Sequence, residues 1–126
     1  MLTLINRSRL EKGLNPIEMS PALTRVATAH AEDMLANHFV GHRSPTSGEI
    51  EDRLKNADIH PQLFAENIGR SDSIGEVHHN LMHSISHRMN VLEPTFTHVG
   101  LGIKKSRGNW IITQVFAKFQ HRVSQL

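Results

Sequence analysis

Residues 97–119 read THVGLGIKKSRGNWIITQVFAKF, two β-type stretches on either side of a turn. From Thr97 to Lys104 the chain alternates, with Val99, Leu101 and Ile103 on one side, the period of two that a half-buried strand requires. Asn109 to Phe119 is rich in β-branched and aromatic residues. Ser106-Arg107-Gly108-Asn109 between them is a turn signal, so the two stretches are expected to pair as an antiparallel hairpin.

Everything upstream of that hairpin is mostly helical in pattern. A first helix spans roughly Leu2 to Lys12 and stops at Gly13, and Asn15-Pro16 turns the chain. Ser20-Pro21 reads as an N-cap followed by proline at the first helical position. Leu23, Val26, Ala27, His30, Ala31, Met34 and Leu35 then fall on one face of a helix that ends near His38. Phe39 to Gly48 reads as loop, and a short helix is expected from Glu49 to Lys55. Leu63 to Ile68 is a candidate strand with a glutamate inside an apolar run. Asp72-Ser73 caps a fourth helix, with Ile74, Val77, Leu81 and Ile85 on its inner face and His87 at its end. Helices interleaved with a small, mainly antiparallel sheet make an α+β layered fold. The length of 126 residues, without repeat or linker, fits one domain over 1–126.

Composition excludes several classes. Hydrophobic residues at 38% are enough for a core and too many for a disordered chain. Fourteen basic against 12 acidic residues give a net charge of +2, without the basic stripe of a nucleic-acid protein. No apolar run is long enough to span a membrane. With no cysteine there is neither a disulfide nor a thiol nucleophile, and the redox compartment stays open. The opening, MLTLINRSRLEKG, carries charges where a signal peptide needs an apolar stretch, so the chain is either cytoplasmic or a mature or excised piece of an exported protein. No nucleophile elbow, phosphate-binding glycine loop or His-Glu-x-x-His motif is present.

Ten histidines are the unusual feature. His42 follows a helix in Val-Gly-His-Arg-Ser-Pro, Glu66 interrupts an apolar strand, and His87 lies in Ser-Ile-Ser-His-Arg-Met-Asn. A carboxylate in an apolar strand must be paired, hydrogen-bonded or open to a cleft. Two imidazoles and a carboxylate can hold zinc and leave a position for water, or do acid-base work without metal. Scattered histidines are, however, mostly surface or satisfied core residues. His79, His83 and His87 are spaced to stack on one helical face, most simply a solvated polar face with adventitious metal affinity. His30, on an apolar face, reads as a buried histidine with a hydrogen-bond partner. His98 points away from the core face, toward the cleft or toward solvent; His60 and His121 read as loop and tail. Met19, Met34, Met82 and Met89 read as packing residues.

Many of these segments, in order, resemble the CAP superfamily of cysteine-rich secretory proteins, venom allergens and pathogenesis-related proteins. The resemblance runs through Ile5-Asn6-Arg7, Ser20-Pro21-Ala22-Leu23, Gly41-His42-Arg43-Ser44-Pro45, Asp52-Arg53-Leu54, Ala65-Glu66-Asn67-Ile68, Ser84 to Leu92, Phe96 to Gly102 and Trp110 to Phe116. It implies a three-layer α-β-α sandwich with His42 and Glu66 sharing a cleft able to bind a divalent metal such as zinc. The family's second glutamate is missing from Met82-His83-Ser84 and its last histidine from Thr95, so His87 is the candidate for the missing imidazole. Leu81 stands where many relatives have tryptophan. Relatives are usually secreted or surface-exposed. The resemblance thus implies an extracellular, surface or periplasmic module that binds a small ligand, lipid or protein. The alternatives are a metal-assisted, peptidase-like hydrolase using Glu66, His42 and His87, and a structural or signalling domain with a vestigial cleft. Fold alone does not choose among them.

Overall fold

The computed structural model describes residues 1–119. Its elements are α1 (Leu2–Glu11), β1 (Glu18–Met19), α2 (Pro21–Ala36), α3 (Ile50–Asn56), β2 (Leu63–Ser71), α4 (Ile74–Met82), α5 (Ile85–Val91), β3 (His98–Ser106) and β4 (Asn109–Lys118). The expected hairpin is β3–β4, antiparallel from His98↔Ala117 to Ser106↔Asn109. Strand β2 adds antiparallel to the far side of β4, and β1 lies parallel to β3, giving the order β1-β3-β4-β2. The sheet is therefore mixed, with one short parallel pair at its edge. A two-residue strand has no period to read, and β1 escaped sequence analysis for that reason.

The alternation of the strands separates two cores. Val115 and Ala117 face Leu23, Val26 and Ala27 of α2 and Leu54 of α3. Their neighbours Phe116 and Ile112 face the other way, onto Ile5 of α1, Val91 of α5, and Val77 and Leu81 of α4. This is the α-β-α sandwich. Ser20 accepts a hydrogen bond from the Leu23 amide at 3.1 Å and caps α2, as its sequence implies. Helix α2 then lies directly on strand β3: a Cβ added at Gly100 or Gly102 would collide with the backbone of Leu23 or Ala27.

Two expectations are corrected. The helix expected to run on from Ser73 to His87 breaks at His83-Ser84 into α4 and α5. The break turns α5 by its own register, so Ile85 is 69% exposed instead of facing the core. The methionines also divide. Met34 is buried and Met82 packs on the core, whereas Met19 and Met89 are exposed. His121 lies outside the described residues.

Candidate functional site

Two adjacent residues of β2 organise the site from opposite faces of the sheet. Successive side chains of a strand point to opposite sides. Glu66 pairs across the sheet with Val115 and so faces the α2–α3 layer, while Asn67 pairs with Gln114 and faces α4 and α5. Because β2 is an edge strand, what each residue holds is brought to the same edge.

On the first face Glu66 is gripped by Arg53 of α3. Arg53 Nη1 donates to Oε2 at 2.6 Å and Nη2 to Oε1 at 3.0 Å, with side-chain exposures of 6% and 1%. This forked geometry is the strong form of an arginine–carboxylate pair. His42 Nδ1 donates to Oε1 at 2.9 Å, and its ring is half exposed. The carboxylate acceptor places the proton on Nδ1, so the neutral ring keeps a lone pair on Nε2, which has no protein partner among the described residues.

The loop that carries His42 is held by three helix-borne side chains. Arg53 Nη2 donates to the His42 carbonyl at 2.7 Å. His30 Nε2 of α2 donates to the Gly41 carbonyl at 2.8 Å, which makes His30 the buried, hydrogen-bonded histidine expected. Ser44 Oγ donates to Asp33 of α2 and accepts from the amides of Thr46 and Ser47. The Ser44 hydrogen bond holds the Asp33 carboxyl below the usual carboxylate range. Burial holds His30 below the ordinary histidine value.

On the second face Asn67 Nδ2 donates to the His87 carbonyl at 3.0 Å and to Gln114 Oε1 at 3.1 Å. Asn90 Nδ2 returns a bond to Asn67 Oδ1 at 2.8 Å. These bonds tie α5 to the sheet edge, and His87 Nδ1 is fixed 2.8 Å from Ser84 Oγ. Burial, and then the charge of His42, hold His87 below the ordinary histidine value. The two imidazoles are thus near enough for a charge on one to oppose a charge on the other.

The sequence-derived trio is therefore brought to one edge, but with unequal roles. Both oxygens of Glu66 are engaged by Arg53 and His42, and among the described residues no group of three or more His, Cys, Asp or Glu side chains is arranged to hold a metal ion. Each of the two imidazoles is hydrogen-bonded through Nδ1, and among the described residues neither Nε2 has a protein partner. His79 and His83 stack with ring centroids 4.0 Å apart on an exposed face of α4, and the helix break removes His87 from that row. His98 shares the sheet face of Glu66 but lies two strands away on β3, 3.6 Å from Glu18 of the far edge strand β1. His60 is an exposed loop residue against Asp58.

Arg53, Asp33 and Asn67 were missed as parts of the site. Arg53 carried a signal, being a charge beside the apolar Leu54 in a helix too short to bury much else. Asn67 carried none, since an asparagine in a strand reads as a solvent-facing residue until its neighbours are known.

Comparison with known proteins agrees with this architecture. The model of the cysteine-rich secretory protein family (CAP) matches residues 2–116. The uncharacterized protein YkwD of Bacillus subtilis (strain 168) is 35% identical over 117 residues, covering 92% of this chain and 45% of that protein. A crystal structure of an extracellular SCP-domain protein from Bacillus anthracis superposes with a TM-score of 0.83 at 30% identity, covering 94% of this chain and 40% of that one. An outer surface protein from Borrelia burgdorferi shares the fold, with a TM-score of 0.86 at 20% identity over 94% of this chain and 90% of that one. The chain spans less than half the length of the two Bacillus relatives.

Proposed function

The chain belongs to the cysteine-rich secretory protein (CAP) family, and on that premise we propose that it is an exported or surface-exposed interaction module whose His42/His87 edge takes a divalent cation or a small ligand. The observation that carries the reading is the relay Arg53–Glu66–His42. A buried carboxylate that accepts from one imidazole nitrogen turns the other nitrogen outward and fixes its tautomer, the arrangement that supports metal-ligating histidines. The donor set for an ion is then His42 Nε2 and His87 Nε2, completed by water, with Glu66 behind His42 instead of on the metal. An ion there would act as a Lewis acid and as a bridge to a ligand. His87 suits this role because burial disfavours its protonated form, which has no lone pair to offer.

The exported setting is supported by the extracellular and outer-surface descriptions of two structural relatives. Among the described residues no helix is long and apolar enough to cross a membrane. A hydrolytic role is weaker on this geometry. Catalytic zinc is ordinarily held by three protein ligands, and a Glu66 whose oxygens are taken by Arg53 and His42 is not presented to a water.

Zinc titration by calorimetry tests the reading. One-to-one binding is expected for the wild type, at least about tenfold weaker in His42→Ala and in His87→Ala. Equal zinc binding by the His42→Ala/His87→Ala double variant and the wild type would move the ion to His79/His83 and overturn the assignment.

A further inference from the structure

A cavity of about 360 Å³ opens where the C-terminal end of α2 meets the tip of the β3–β4 hairpin. That volume falls in the range of small-molecule sites. Its apolar wall comes from Met34, Phe39 and Ile111, and its rim carries Arg70, Arg107 and His38. None of the residues that form the His42 relay lines it. We propose that this cavity is a binding site for a small organic anion, a carboxylate or sulfonate on an apolar body, with Arg70 and Arg107 receiving the charge.

Three observations carry it. Among the described residues neither arginine has an ion-pair partner, although Lys104, on the other side of Ile111 from Arg70 in the sheet, is paired with Glu32. Two unpaired guanidinium groups at the mouth of a cavity with one apolar wall favour a ligand that is anionic at one end only. Arg107 also stands at a place in the turn that does not favour arginine. It has φ 51 and is followed by Gly108 at φ 81, a two-residue turn for which asparagine, aspartate or glycine is preferred. The arginine costs the turn some stability and gives the cavity a cation. His38, which follows the α2 C-cap with φ 56 as helix ends commonly do, adds a third polar group to the lining.

The test uses a matched pair of dyes, 8-anilinonaphthalene-1-sulfonate and its uncharged counterpart N-phenyl-1-naphthylamine, titrated by fluorescence. The sulfonate is expected to bind one-to-one and at least about tenfold more tightly than the neutral dye, the gain of a charge-assisted contact. An Arg70→Gln/Arg107→Asn double variant, in which asparagine suits the turn, is expected to bring the two dyes to equal affinity while keeping the melting temperature. Displacement of the sulfonate by octanoate or by 1-naphthoate supports the site, and the stronger competitor identifies the body as chain or ring. Equal affinity for both dyes in the wild type, an unchanged double variant, absence of saturable binding, or displacement by neither acid overturns it. Loss of sulfonate binding in His42→Ala/His87→Ala also overturns it, by moving the dye to the other site.

Discussion

Arg53 decides more about this protein than any histidine does. It is buried, it neutralises Glu66, and it holds the backbone of the loop on which His42 rides. Removing one partner of a buried ion pair leaves an uncompensated charge, which costs about 3–5 kcal/mol. Arg53→Ala is therefore expected to lose about that much stability in urea unfolding, and Arg53→Met combined with Glu66→Leu to recover most of it, because no charge is then left alone. The same double variant should lose zinc affinity despite its stability, since His42 would no longer be oriented. Asn67 has the parallel role on the other face. Asn67→Ala leaves the His87 carbonyl, Gln114 and Asn90 short of a partner and is expected to cost about 1–3 kcal/mol, read in the same unfolding series. Glu66 was legible in the sequence because a carboxylate in an apolar strand must be paired. Its partner was not, because Arg53 is 13 residues away on a helix whose docking angle is a tertiary fact.

Elements meet here through backbone as much as through side chains. Helix α2 approaches β3 so closely that Gly100 and Gly102 leave room only for hydrogen atoms. Gly102→Ala is expected to push α2 off the sheet at a cost of about 3 kcal/mol, the upper end for overpacking, because the atom in the way is a carbonyl that no rotamer change can move. Gly41→Ala is the control: nothing lies within 4 Å of the added methyl group, and the melting temperature should be nearly unchanged. The α4–α5 break shows the limit of periodicity. Ile74, Val77, Leu81 and Ile85 fit one helical face, yet the helix stops at Met82 and a new one starts after Ser84, with Ser84 bonded to His87. A serine inside an apolar period can be a polar surface residue or a new cap, and the pattern alone does not distinguish them.

At the scale of the whole molecule the histidines set the pH response. Burial is the first cause that lowers His30, His78 and His87 below the ordinary value of about 6.5. His78 is buried on α4, 2.9 Å from Ser8 Oγ of α1. A group with a lower folded than unfolded value binds fewer protons when folded, so stability rises with pH across the window between the two. The protein is thus expected to keep its full stability above about pH 7 and to lose it progressively as pH falls below about 6.5. Thermal melts from pH 7.5 to 5.5 should show a falling melting temperature, and His78→Asn should flatten the slope. A melting temperature independent of pH across that interval would mean that the three rings accept protons without opening the fold.

The sequence by itself determined the order of elements apart from β1 and the α4–α5 break, the hairpin, the capped amphipathic α2, the family, and His42, Glu66 and His87 as residues of interest. These are local quantities: a period, a turn, a cap, a charge where apolar residues belong. Only the tertiary structure decided that Glu66 supports His42 from behind, that Asn67 brings His87 to the same edge, that one helix is two, and that two arginines rim a cavity that none of those residues lines. Each of those depends on which residues far apart in the chain become neighbours, and a strand reveals its alternation without revealing what will be packed against either face.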